Sequence, residues 1–125
     1  MTIAIDSLRP AGGGAALFQG FEHGAQTSFF VVTSRPGGGA QKHRHPYEEI
    51  FVILDGEIEV IVDGQREMIS GGSIRVIPPR AWHQFTNRSA RPCLMVNIHS
   101  SPRLIQEDWA DLVRDPEGGS AGDIS

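Results

Sequence analysis

The stretch Gly37-Gly38-Gly39-Ala40-Gln41-Lys42-His43-Arg44-His45-Pro46-Tyr47-Glu48-Glu49-Ile50-Phe51-Val52-Ile53-Leu54-Asp55-Gly56 decides how the chain is read. His43 and His45 stand two apart, so on a strand their side chains share a face. Glu49 follows four after His45 and keeps that parity if the strand resumes after a Pro46-Tyr47 bend. The same parity continues as Phe51 and Ile53, which points Glu49 toward a core. A carboxylate there is costly unless it is paired, protonated or on a metal ion. His83 arrives after Pro78-Pro79, on a strand that a meander can fold beside the first. Singly, each has a plain reading: a His-x-His on an exposed strand, a surface Glu49 beside Glu48, a hydrogen-bonded core His83. Together they form a ligand set for one divalent transition metal, Fe(II), Mn(II), Ni(II), Co(II) or Zn(II). Such an ion would hold the histidines neutral and offset the burial cost of Glu49.

Outward from this stretch the chain reads as short strands: 15–20, 26–33, 40–45, 49–55, 57–62, 66–70, 73–77, 82–86 and 93–99. Several are rich in Val, Ile and Phe. Leu54-Asp55-Gly56-Glu57 and Val62-Asp63-Gly64-Gln65 each place Asp-Gly between strand-like runs, the signature of primed hairpin turns and of an antiparallel meander. In 57–62, Ile58, Val60 and Val62 share one face and Glu57 and Glu59 the other. In 49–54 both faces are apolar, which predicts cover on both sides by another subunit or a folded-over arm. Residues 102–114 carry Leu104, Ile105, Trp109, Leu112 and Val113 at helical spacing, with Ser101 as N-cap and Pro102 at the first position. Residues 1–14 read as a flexible arm ending in Gly12-Gly13-Gly14, residues 15–114 as one β domain with a short C-terminal helix, and 115–125 as a disordered tail.

Composition bounds the rest. In 125 residues, 15 Gly and 8 Pro disfavour a helical bundle, and 39% hydrophobic residues supply one core rather than two. Eleven basic against fifteen acidic residues, with no Lys/Arg stripe, argue against nucleic acid and an anionic membrane surface. A single cysteine, Cys93, rules out an internal disulfide framework and reads as a small buried hydrophobe. With no basic-then-apolar leader and no run of ~20 apolar residues, the expected location is cytoplasmic.

The motif pattern resembles the cupin family. Its first motif runs Gly, five residues, His-x-His, three or four residues, Glu, six residues, Gly; here Gly37, His43, His45, Glu49 and Gly56 fill every fixed position. Its second runs Gly, five residues, Pro-x-Gly, two residues, His, three residues, Asn; here Gly72, Pro78, His83 and Asn87 match, and Arg80 stands where the family has glycine. The resemblance implies an all-β fold, an antiparallel double-sheet jelly-roll barrel, and a homodimer with N-terminal strands crossing between subunits. It also implies His43, His45, Glu49 and His83 as metal ligands, with Glu48 excluded because only Glu49 keeps six residues before Gly56. Arg80 carries strain if the glycine geometry is kept; its side chain reads as a solvated turn residue, the alternative being a place at the barrel mouth that attracts an anionic substrate.

Parity adds a pocket. Phe51 and Phe85 follow the ligand face, Tyr47 approaches from the bend, and Met95 and Asn97 lie on a neighbouring strand. Trp82 is expected to pack outside. His23 and His99 fall outside both motifs as surface or hydrogen-bonded residues, His99 being the better placed to support the site from behind. An apolar pocket around one metal suits a small organic acid, phenol or diketone-like ligand rather than a sugar nucleotide. The expected function is a metal-dependent enzyme of dioxygenase type, with Glu49 also able to act as a base. The alternatives are a redox-neutral isomerase, epimerase or lyase, and a non-catalytic binding module.

Overall fold

The computed structural model describes residues 2–113. Ten strands follow in order: β1 (Ala16–Phe18), β2 (Ser28–Ser34), β3 (Gly39–Arg44), β4 (Glu49–Asp55), β5 (Glu57–Val62), β6 (Gln65–Ser70), β7 (Ser73–Ile77), β8 (His83–Thr86), β9 (Cys93–His99) and β10 (Glu107–Asp108), then one turn of helix, α1 (Trp109–Leu112). They form two five-stranded sheets, β1-β2-β9-β4-β7 and β10-β3-β8-β5-β6. Every pairing is antiparallel. This is a jelly roll whose sheets face one another without being hydrogen-bonded into a closed barrel among the described residues. Between them lies a single core that includes Phe51, Ile53, Ile58, Val60, Ile77, Phe85, Cys93 and Met95. No helix of the described residues is long and apolar enough to cross a membrane.

The two Asp-Gly signals separate in the structure. Asp63 (φ 47°) and Gly64 (φ 81°) both sit in the left-handed region and close the β5–β6 hairpin, as a primed turn requires. Asp55-Gly56 does not make a hairpin, because β4 and β5 lie in different sheets. The chain crosses there from one sheet to the other, and the expected meander gives way to jelly-roll order. Gly56 is needed on two grounds: its φ is 87°, and a Cβ would meet the Pro92 carbonyl oxygen at 2.7 Å.

Glu59 also departs from the simple alternation. It is buried, held at 2.8 Å by Arg88 and at 3.3 Å by Arg66. The outer face of β4 is only partly covered: Ile50 and Val52 are half-buried, and Leu54 is exposed. Ile74 and Val76, paired in register with Val52 and Ile50, extend this apolar row into solvent.

The helix expected over 102–114 shrinks to Trp109–Leu112 within the described residues. The segment before it spends its backbone groups on tertiary partners instead of i→i−4 bonds. Leu104 N–H donates to Gln19 Oε1 (2.9 Å), and Ile105 N–H to the Tyr47 hydroxyl (3.3 Å). β10 then pairs with β3, opposite Arg44 and His43. Trp109 packs edge-on against Trp82, 5.1 Å between centroids, so both indoles lie outside the core. In the arm, residues Ile5–Leu8 form a 3-10 turn beside β1. The tail expected over 115–125 lies outside the described residues.

Asn87 joins the two ends of the motif region. Its backbone N–H donates to Gly38 O (2.8 Å) and its carbonyl accepts from Gly37 N–H (2.7 Å). Its buried amide donates to Ser34 O and Arg91 O. Arg80 keeps the geometry of the glycine it replaces, with φ at 67° and its N–H donating to His45 O (2.8 Å). Its side chain is exposed and does not line the cavity described below. A left-handed non-glycine residue costs ~1–2 kcal/mol, part of which glycine gives back in unfolded-state entropy. Arg80→Gly is therefore expected to stabilise the protein by about 0.5–1 kcal/mol in urea unfolding; a loss of stability would show that the arginine side chain outweighs its own strain.

Candidate metal centre

His43 comes from the end of β3 and His45 from just beyond it, while Glu49 opens β4 and His83 opens β8. The β3–β8 register sets His43 opposite His83. One donor atom from each of these four residues lies within 4.8 Å of the others, and all four side chains are buried. Glu49 Oε1 stands 3.1 Å from His45 Nε2 and 3.0 Å from His83 Nε2.

The other ring nitrogens explain why these rings face inward. His43 Nδ1 meets Gln41 O at 2.6 Å, His45 Nδ1 meets Ile105 O at 2.7 Å, and His83 Nδ1 meets Ala81 O at 2.9 Å. A carbonyl oxygen only accepts, so each Nδ1 carries a proton and each neutral ring turns an Nε2 lone pair to the centre. Lone pairs then face the Glu49 carboxylate, an arrangement that demands either an added proton or a cation. Buried His45 Nε2, despite its 3.1 Å separation from Glu49 Oε1, has no partner in hydrogen-bonding geometry. Backbone carbonyls behind imidazole donors are the usual support of metal-bound histidine. The residues present therefore fit a divalent transition metal, which would occupy the position otherwise claimed by protons.

Electrostatics agree. His43 is lowered to about 4 by burial and by neighbouring His83 and His45, against the pull of its bond to Gln41. Burial pushes the Glu49 carboxyl up, but the imidazoles of His45, His83 and His99 around it outweigh burial and hold the group below the usual carboxylate range. Tyr47 is raised to about 12, chiefly by burial. For the metal-free protein the sign follows. Unfolded His43 takes up a proton near its ordinary value of 6.5, while the folded side chain resists until about 4. The unfolded state thus binds more protons across that window, and stability falls as pH falls through it. We expect chelator-treated protein to be about 2–3 kcal/mol less stable near pH 4.5 than near pH 7. The Glu49 shift continues the loss at lower pH. Equal unfolding free energies at the two pH values would contradict the buried neutral His43.

A cavity of about 880 Å³ opens onto the centre, reached by His43, Glu49 and His99. Of the residues expected around it, Phe85 and Asn97 form part of its wall. Phe51 and Met95 share their parity but lie deeper, fully buried in the core. The Phe51 ring stands edge-on to His83, 6.2 Å away, and to Phe85, 5.6 Å away. Tyr47 stacks on His45 at 5.1 Å and hydrogen-bonds His99 rather than lining the cavity. Phe30, Val32 and Gly12–Gly14 line it without having been expected to, and so do Arg35, Gln41, Lys42 and Asp108, so the cavity is of mixed polarity rather than the apolar pocket the sequence suggested. His99 is buried, with Nε2 3.2 Å from Glu49 Oε2. Its signal in the sequence is its shared parity with Met95 and Asn97 on β9. His23 stays outside, stacked on Phe18.

Residues 30–99 match the family described as the cupin domain, and the chain belongs to that family. No curated protein matches it. Among solved structures it is similar to an uncharacterized conserved protein with a double-stranded beta-helix domain from Klebsiella pneumoniae subsp. pneumoniae, at 18% identity and TM-score 0.66, covering 85% of this chain and 94% of that one. It is similar to the Lactobacillus farciminis oxalate decarboxylase in its formate complex, at 20% identity and TM-score 0.75, covering 89% of this chain. The chain spans only 36% of that enzyme's length. An oxalate oxidase in complex with the substrate analogue glycolate is 19% identical, with TM-score 0.73 over 93% of this chain and 67% of that one. At these identities the likeness is one of fold.

Proposed function

We propose that this cupin binds one divalent transition metal through His43, His45, Glu49 and His83 and acts on a small organic acid or related compound, in an oxygen-dependent reaction of dioxygenase type. The observation that carries the reading is the convergence of three Nε2 atoms and one carboxylate oxygen beside the cavity, each ring fixed by a backbone carbonyl. When bound, such an ion supplies Lewis acidity and, if redox-active, a route for electrons to O₂. The chain's own part is positioning. Phe30, Val32 and Phe85 give the cavity an apolar part beside polar lining from Arg35, Gln41, Lys42 and Asp108, and the Asn97 amide, whose Oδ1 is buried without a partner, would orient a polar group of the ligand. The small acids held by the oxalate oxidase and oxalate decarboxylase structures support the ligand class.

The test is elemental analysis of the purified protein, followed by O₂-electrode measurements with Fe(II)- and Mn(II)-loaded protein across small hydroxy acids, phenols and diketones. Uptake with one class supports the proposal. Full zinc occupancy and no uptake with any would turn the reading to a redox-neutral isomerase, epimerase or lyase. We also infer a homodimer seated on the exposed apolar row of Leu54, Ile74 and Val76, to be checked by sedimentation.

A further inference from the structure

Glu49 has two carboxylate oxygens, and only Oε1 faces His45 and His83. Oε2 is taken by His99, whose Nε2 lies 3.2 Å away. The chain of groups behind that contact agrees with its direction. Ile105 N–H donates to the Tyr47 hydroxyl at 3.3 Å, so that oxygen is already an acceptor and its own proton is free to point onward. Its strongest onward contact is His99 Nδ1, at 2.7 Å. The alternative, His45 Nδ1, is 3.5 Å away and already donates to Ile105 O. A carboxylate oxygen only accepts, so the neutral ring with Glu49 Oε2 3.2 Å from its Nε2 carries its proton on that nitrogen, and His99 Nδ1 accepts from the Tyr47 hydroxyl. His99 thus has the opposite tautomer from His43, His45 and His83: they turn lone pairs inward, and it turns a donor.

We propose that His99, set by Tyr47, is a positioning residue that occupies Glu49 Oε2, so that the carboxylate offers a single oxygen to the ion. The proposal rests on the metal-site reading above. Its consequence is a smaller coordination number, with a position left for ligand that a two-oxygen carboxylate would fill.

The test titrates Mn(II) into the full chain and into His99→Ala, His99→Gln, Tyr47→Phe and the Tyr47→Phe/His99→Ala double variant, with Glu49→Gln as the control on the site itself. Affinity is read by calorimetry, and coordination by the visible spectrum of the Co(II)-loaded protein. Loss of a partner behind a ligand costs roughly 10–100-fold in metal affinity. His99→Ala is expected to lose on that order and to alter the Co(II) band intensity as Oε2 becomes free to join the ion. Tyr47→Phe is expected to lose less, and the double variant no more than His99→Ala, because Tyr47 acts through His99. His99→Gln, whose amide N–H can still donate to Oε2, is expected to recover both readouts. If His99→Ala does not fold, Tyr47→Phe decides, since it keeps the ring stacked on His45.

Wild-type affinity and an unchanged Co(II) spectrum in the His99 and Tyr47 variants, with binding lost in Glu49→Gln, would overturn the positioning role alone. If the unaltered chain takes up no Mn(II), or Glu49→Gln binds as well, the metal-site reading falls and this one with it.

Discussion

Adding a divalent transition metal to the chelator-treated protein is expected to raise its melting temperature by roughly 15 °C, and His45→Ala is expected to abolish that rise. A ligand that binds only the folded state at a free concentration ~1,000-fold above its Kd contributes about 4 kcal/mol, which in a domain of this size corresponds to a shift of that order. Here the contribution is large because the metal-free site is unfavourable as built. Three inward lone pairs and a carboxylate are buried together, and His45 Nε2 has no hydrogen-bond partner. His45→Ala removes one donor and leaves the Ile105 carbonyl without the imidazole proton it accepts at 2.7 Å. That variant has its own lower baseline, so the quantity to read is the difference between metal-loaded and metal-free melts within each protein. A full increment retained in His45→Ala would show that the ion sits elsewhere.

Phe51→Ala should cost about 3–5 kcal/mol of unfolding free energy, the usual range for emptying a buried phenylalanine site. Phe51 has no exposure and lies between Ile53 and the cluster of histidines, edge-on to His83 and Phe85. Truncation leaves a void directly beneath the His83 ring. Metal affinity should therefore fall together with the urea midpoint, because His83 loses the surface that fixes its angle. Phe51→Leu keeps most of the volume and should lose less than about 1.5 kcal/mol. If Phe51→Ala cost less than about 1 kcal/mol, the ring would have to be an accessible wall of the cavity, as strand parity alone implies, and not part of the packed interior.

The contrast at Phe51 shows what a linear sequence encodes. Alternation set the parity of β4 and β5 and marked Glu49 as facing inward, because a period of two is a local property. Depth is not local. Phe51 and Asn97 on one sheet and Phe85 on the other all lie on inward parity, yet only Asn97 and Phe85 reach the cavity. Asp55-Gly56 and Asp63-Gly64 carry the same turn signal, and one closes a hairpin while the other crosses between sheets. What distinguishes them is the approach of Pro92 and Cys93 to Gly56 from a distant part of the chain. The helical spacing of residues 102–114 is real, but Gln19, Tyr47 and His45 compete for the backbone of residues 104 and 105. His99 was legible only as a strand-end histidine, since its meeting with Glu49 depends on the β4–β9 register. Glu59 stays buried because Arg66 and Arg88 reach it from β6 and from beyond β8.

The peptide group of Ile105 carries a lesson for anyone who would cut or graft this domain. It accepts from His45 and donates to Tyr47, so a single peptide group serves both a metal-facing ring and the tyrosine behind His99. It lies six residues beyond the end of the family match at residue 99. An excised fragment ending there would keep every donor and both motifs, yet its His45 ring would lose the carbonyl that settles which nitrogen faces inward. The minimal unit of chemistry is therefore longer than the minimal unit of homology, and a transplant designed from the motifs alone would carry the ligands without their tautomers.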